Sequence, residues 1–166
     1  MNIKTLLTLT LFILTLGVAP GNADSGTDGV LSQKEITAAK KLMDTSRNIT
    51  LGINLDFTAE ENDKFWPLYE EYRQKIRGVR ERKLSVIDEY AARYRDDTVD
   101  DEFADRAIKD LIKVQIDTAK IRDKYWKKFR RIIPATKAAR FYQLENKMDA
   151  EIDYVLAGGV PLIETK

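Results

Sequence analysis

The sequence predicts an all-α protein: a long antiparallel helical hairpin flanked by shorter N- and C-terminal helices. Three observations carry that prediction. Apolar residues recur in alternating steps of four and three through two long stretches, the seam of one helix packed along another. Capping signals stand at the heads of those stretches. Two segments, 57–79 and 133–155, also echo each other at an offset of 76 residues: Phe65 matches Phe141, Trp66 matches Tyr142, Leu68 matches Leu144, Tyr72 matches Met148, Ile76 matches Ile152 and Val79 matches Val155. The alternative explanation of the whole echo is the heptad rhythm that any two amphipathic helices share.

The elements follow in order. Residues 1–23 have the three-part plan of a secretory signal peptide: a positive start at Lys4, an uncharged run from Thr5 to Val18, and small residues ending at Ala23. That run of about 14 residues is short against the roughly 20 needed to span a bilayer, so no stable membrane insertion is expected after cleavage. Residues 24–31 read as a disordered linker, 32–159 as a single helical domain and 160–166 as a tail. Ser32 and Glu35 form a capping box for a first helix reaching about Arg47. Asn48–Phe57, with Gly52 and several β-branched residues, reads as a connector with some strand character.

Thr58 and Glu61 form a second capping box, opening a helix that reaches Arg95. Pro67 within its early turns is expected to kink the helix or delay its regular start. Its seam is Phe65, Tyr69, Tyr72, Ile76, Val79, Lys83, Val86 and Tyr90, and about 36 residues at 1.5 Å each give a rod of about 55 Å. Thr98 is expected to cap the next helix, which runs to Ile133. The stripe of that helix is Ala104, Ala107, Leu111, Val114, Thr118, Ile121, Tyr125 and Ile132, widened by Ile108, Ile112, Ile116 and Phe129. Pro134 suits the first turn of a last helix, and Gly158-Gly159 supplies a left-handed stop. With the turn near residue 97, Trp66 lies opposite about residue 128. Trp66 and Trp126 are therefore expected in one layer, with Phe65, Tyr69, Tyr125, Phe129, Phe141 and Tyr142 able to fill it.

Composition excludes much chemistry. There is no histidine and no cysteine, which removes the usual nucleophile–base pairs and transition-metal ligands. No disulfide can form in an exported chain of this kind, and the lipidation cysteine of a bacterial lipoprotein is lacking. Most carboxylates have a base four residues later, as in Glu71/Lys75 and Asp123/Lys127, which is helix-surface support. No glycine-rich phosphate loop occurs. Neither an enzyme nor a cofactor is expected. One of the 28 basic residues lies in the leader, leaving 27 against 27 acids, so bulk attraction to nucleic acid is not expected.

Charge is nevertheless patterned. Acids gather at Asp96, Asp97, Asp100, Asp101, Glu102 and Asp105, at the hairpin tip, where they either hold a divalent cation weakly or simply face solvent. Bases gather in 73–83 and 120–131, which overlap in height along the hairpin. Such a face either keeps a rod soluble or attracts negatively charged, partly unfolded protein.

A leader, then Leu-Asp-Phe-Thr-Ala-Glu-Glu before a long helix, then a hairpin, then Ile-Pro-Ala-Thr-Lys before a last helix resembles the periplasmic Spy/CpxP family, whose signature is a repeated LTXXQ motif. The resemblance covers roughly residues 50–157. The copy at Phe57–Glu61 keeps the threonine but has Glu for the family's Gln; the copy at Ile133–Lys137 has Pro for Thr and ends in Lys. The resemblance implies a thin, curved, cradle-like homodimer in the periplasm. It implies an ATP-independent chaperone for unfolded or stress-exposed envelope proteins, or a stress-signalling adaptor that restrains a sensor kinase. The family uses a concave basic surface for clients. Placed by helix register, the candidates here are Arg73, Arg77, Arg80, Lys120, Lys124 and Lys127, with Trp66 and Trp126 as apolar contacts. A metal-stress branch relies on histidine, methionine and acids; with no histidine here, no metal-binding residue is assigned.

Overall fold

A computed structural model describes residues 45–163. The leader, the linker 24–31, the Ser32–Glu35 capping box and the last residues of the tail lie outside the described residues. Those described are helical with no strand among them. They fall into two compact units, one ending at Asn54 and the other starting at Leu55; this boundary lies within the single domain expected over 32–159.

Helix α1 includes residues 45–55, so the expected connector is helical for most of its length. Arg47, Thr50, Leu51 and Leu55 are buried. Their spacing is that of one helical face, and it outweighs the β-branched composition. Gly52 is tolerated at a cost of up to about 1 kcal/mol. Asp56, at φ 44°, takes the left-handed conformation just past the helix.

Helix α2 spans Ala59–Arg95. The Thr58 hydroxyl accepts from the Glu61 amide at 3.2 Å, and the Glu61 carboxylate accepts from the Thr58 amide at 2.9 Å. Two otherwise orphaned donors are thereby satisfied. Pro67 does not delay the start: the helix is regular from Ala59 and continues past it, giving up the single bond that a residue-67 amide would make to Asp63. Its end is a Schellman turn: Thr98 N donates to Arg93 O and Asp97 N to Tyr94 O, with Asp97 at φ 50° in the place usually held by glycine.

Helix α3 spans Asp101–Phe129. Its cap is Asp100, not Thr98. The Asp100 carboxylate accepts from the Phe103 amide at 2.8 Å, while the Thr98 hydroxyl faces back to Arg93 O. A carboxylate beside the positive helix end is the stronger acceptor. The helix also stops four residues before Ile133. Ile132 and Ile133 amides both turn onto Phe129 O, and the residue before Pro134 is steered away from helical backbone.

Helix α4 spans Ala135–Gly158, with Pro134 as its N-cap rather than its first helical residue. Gly159 closes it at φ −92°, a right-handed conformation. The expected left-handed stop is replaced by short-range bonds from Gly159 N to Leu156 O and Val160 N to Ala157 O.

Within the second unit, α2 meets α3 with residue numbers rising on one as they fall on the other. Phe65 packs on Phe129, Glu71 bonds Tyr125 and Lys128, Arg82 pairs with Asp117, Glu89 with Arg106, and Tyr90 stacks on Phe103. Helix α4 lies alongside α2, and here the numbers rise together. Lys137 pairs with Glu61, Phe141 packs on Phe65, Glu145 accepts from Tyr69, Asp149 pairs with Arg80 and Asp153 with Lys83. The echo in sequence has a spatial meaning: three of these pairs join equivalent positions of the two copies, 76 residues apart.

The core is aromatic at one end, where Phe65, Tyr69, Tyr72, Tyr125, Phe129 and Phe141 contact one another. At the other, Tyr90, Phe103 and Ala107 pack with Val86, Tyr94, Val99 and Val160. Most of the expected α2 seam is buried. On α3 the expected stripe is narrower: Ile108, Ile112 and Ile116 are 53%, 50% and 48% exposed. They lie across the helix from Ala107, Val114 and Tyr125, and one helix cannot bury both faces against a single neighbour.

Candidate functional site

A groove of about 820 Å³ opens between α3 and α4, with α2 as its floor. Ile76 and Val79 from α2 and Val114 from α3 form an apolar base and are themselves buried. Leu111, Gln115, Thr118, Ala119 and Trp126 line the α3 wall; Ala139, Tyr142 and Gln143 line the α4 wall. At one end the Trp126 and Tyr142 rings meet edge to face at 6.5 Å, and the Arg122 guanidinium lies 5.9 Å from the Tyr142 ring centre. Such contacts favour aromatic and cationic neighbours.

The charges in the groove are paired. Asp149 accepts from Arg80 on one carboxylate oxygen at 2.7 Å and from Arg122 on the other at 2.8 Å. It thereby ties α4 to α2 and α3 together. Lys83 pairs with Asp153 at 2.8 Å. Deeper, Tyr69 donates to Glu145 at 2.9 Å and Arg73 approaches the same carboxylate at 3.5 Å, all three being buried.

Titration of the surrounding groups follows from this packing. Burial, and then the Glu145 charge, push the Tyr72 hydroxyl up to about 12. Burial and the bond to Glu71 likewise push Tyr125 up to about 12. Burial works against the Arg122 charge, but neighbouring Tyr72 and Asp149 outweigh it and raise its pKa. On the outer face, the Lys128 bond and then the Tyr125 bond hold Glu71 below the usual carboxylate range.

The eight residues expected to bind clients are dispersed. Arg73 is a core residue facing Glu145, 4% exposed, and belongs to no surface. Arg77 pairs with Glu70 on the α2 surface. Arg80 and Trp126 line the groove. Lys127 pairs with Asp123 one turn away. Lys120 and Lys124 are exposed, and their charges act on Asp117 and Glu71 respectively. Trp66 packs on Phe65 and Tyr69 and donates to Asn62 at 2.6 Å. The two indoles thus have separate ring partners, although their flanking residues Phe65 and Phe129 do share a layer.

Much of the expected positive midsection is consumed as inter-helix ion pairs. Helix register does not show which α2 arginines turn inward: the acids that meet Arg73 and Arg80 come from α4, whose position depends on the turn at 130–134. Tyr142 was signalled in the sequence as the counterpart of Trp66. Arg122 and Asp149 carried no separate signal.

The acidic tip does not converge. Asp100 is spent on the α3 cap and Asp105 pairs with Lys109 at 2.5 Å; among the described residues no group of three acidic side chains is placed to hold a metal ion. None of the described helices is long and apolar enough to cross a membrane. No protein-family model, curated protein or solved structure matches the chain.

Proposed function

We propose that the chain is an exported, ATP-independent chaperone-like protein that transiently holds unfolded or stress-exposed envelope proteins. In this reading α2 and α3 form the long antiparallel hairpin of a cradle-like homodimer in the periplasm, as the resemblance to the Spy/CpxP family implies. The observation that carries the reading is the α3–α4 groove: an apolar base under walls that mix aromatic, amide and internally neutralised charged groups. A site of that kind accepts apolar segments without demanding one sequence, because its hydrogen-bonding groups tolerate several registers and its arginines already have partners. Suppression of aggregation tests it. A reduced, denatured client is followed by light scattering, with and without the mature protein. Stoichiometric protein should suppress scattering, and unchanged scattering at low and moderate salt would remove the reading.

A second reading is an adaptor that restrains one envelope sensor kinase. The paired charges favour it, since a preformed groove with fixed ion pairs suits a single folded partner better than a bare positive face does. It predicts capture of one envelope partner in a pull-down and little effect on generic clients.

A further inference from the structure

We propose that the occupant of the α3–α4 groove is an extended, uncharged peptide segment whose one aromatic side chain seats against Trp126 and Tyr142. This rests on the reading of the groove as a client site and adds what the client must present there. The charge rule comes from the walls. Arg80 and Arg122 are both held by Asp149, Lys83 by Asp153, and Asp123 by Lys127. Every charged side chain lining the groove is thereby matched. A charged residue entering over Ile76, Val79 and Val114 would lose its water and meet no unmatched counter-charge. An uncharged segment has no such cost.

Two amides favour extended backbone over helix. Gln115 and Gln143 line opposite walls and are exposed, and among the described residues neither amide bonds to the chain. Each offers donors and an acceptor, which suit an extended backbone; a helix has already bonded its backbone within itself. Gln143 adjoins Tyr142, and Gln115 stands eleven residues before Trp126, about 16 Å along α3. An extended chain covers that distance in about five residues. The aromatic rule comes from the corner that Trp126 and Tyr142 form. Their rings stand at 80° to each other, and among the described residues neither has another ring beside it. Tyr142 is 42% exposed, and Ala139 brings only a methyl group to the same wall. A third ring can stack on one face and turn its edge to the other, the arrangements that aromatic pairs prefer.

Anisotropy titrations of the mature protein with dye-labelled seven-residue peptides test the proposal. A peptide of alanine, valine and asparagine with one phenylalanine should bind saturably, with the same Kd at low and high salt. Replacing its phenylalanine by alanine should weaken binding about tenfold, as should Trp126→Ala in the protein. A glutamate or lysine at the peptide's centre should weaken it at least as much. Ala139→Glu, at an exposed position, should block the corner while circular dichroism stays unchanged, so that lost binding is not lost folding. Tighter binding of a preformed amphipathic helix or of the charged peptides overturns the proposal, as does affinity that falls with salt. Indifference to the phenylalanine and to Ala139→Glu also overturns it. Client aggregation suppressed with no peptide bound overturns this inference alone. Peptide bound as expected, with aggregation unchanged, upholds the groove's preference and removes the chaperone reading.

Discussion

Glu145→Gln removes a negative charge from the most deeply buried ion pair that joins α4 to α2. The Glu145 and Arg73 side chains are 3% and 5% exposed, 3.5 Å apart. Glutamine keeps an oxygen to accept from Tyr69, so the loss is chiefly the charge facing Arg73. Taking one partner from a buried pair costs about 3–5 kcal/mol, because the remaining charge stays desolvated. With the Tyr69 bond retained, the lower end applies, about 3 kcal/mol. At a urea dependence of about 2 kcal/mol per molar, the unfolding midpoint should fall by about 1.5 M. The double variant Arg73→Met, Glu145→Gln should lose less than Glu145→Gln alone, since it leaves no stranded charge and the glutamine oxygen still accepts from Tyr69. Urea denaturation followed by far-UV circular dichroism measures both. A midpoint shift below about 0.3 M for Glu145→Gln, or a double variant less stable than the single one, would refute this account of the seam.

Two further outcomes follow from the caps and the tyrosines. Thr58→Ala removes the acceptor for the Glu61 amide and should lower stability by about 1 kcal/mol, read as a drop in thermal midpoint; a midpoint equal to wild type would mean the capping box contributes nothing. Tyr72 and Tyr125 are held neutral in the folded chain, with pKa values raised to about 12 from an ordinary 10.0. The stability they contribute is therefore fully present below pH 10 and lost as pH rises towards 12, because the unfolded chain releases those protons first. Urea midpoints should be flat to about pH 10 and then decline. Tyr72→Phe should flatten part of that decline, and an unaltered slope would contradict it.

How far the fold was legible depended on whether the signal was local. The α2 seam and its Thr58 cap are periodic and short-range, and both were readable. So was the opposition of Phe65 and Phe129, which follows from placing the turn near residue 97. Errors came where two local signals competed. Thr98 and Asp100 both offered caps, and the carboxylate prevailed. Pro134 lies one position before α4 rather than in its first turn, and in the expected connector Asn48–Phe57 the β-branched composition masks the helical spacing of Arg47, Leu51 and Leu55.

The groove was largely hidden for a different reason. Its walls belong to α3 and α4, and the direction in which α4 returns is set by the five residues of turn at 130–134, which carry no periodic pattern. The echo between 57–79 and 133–155 was the one clue to that return. Equivalent residues at its two sites, such as Tyr69 and Glu145, proved to be partners. Basic residues counted along the sequence suggested a positive surface; Arg73, Arg80 and Arg122 instead serve as ties between helices.

The most direct measurement uses Trp126 as a reporter inside the groove. Trp66→Phe leaves it as the single tryptophan, and a tryptophan-free unfolded client labelled for anisotropy reports binding independently. Occupation of the groove predicts a saturable change in Trp126 emission with the same midpoint as the anisotropy rise. Binding by anisotropy while Trp126 emission stays constant would place the client elsewhere on the molecule.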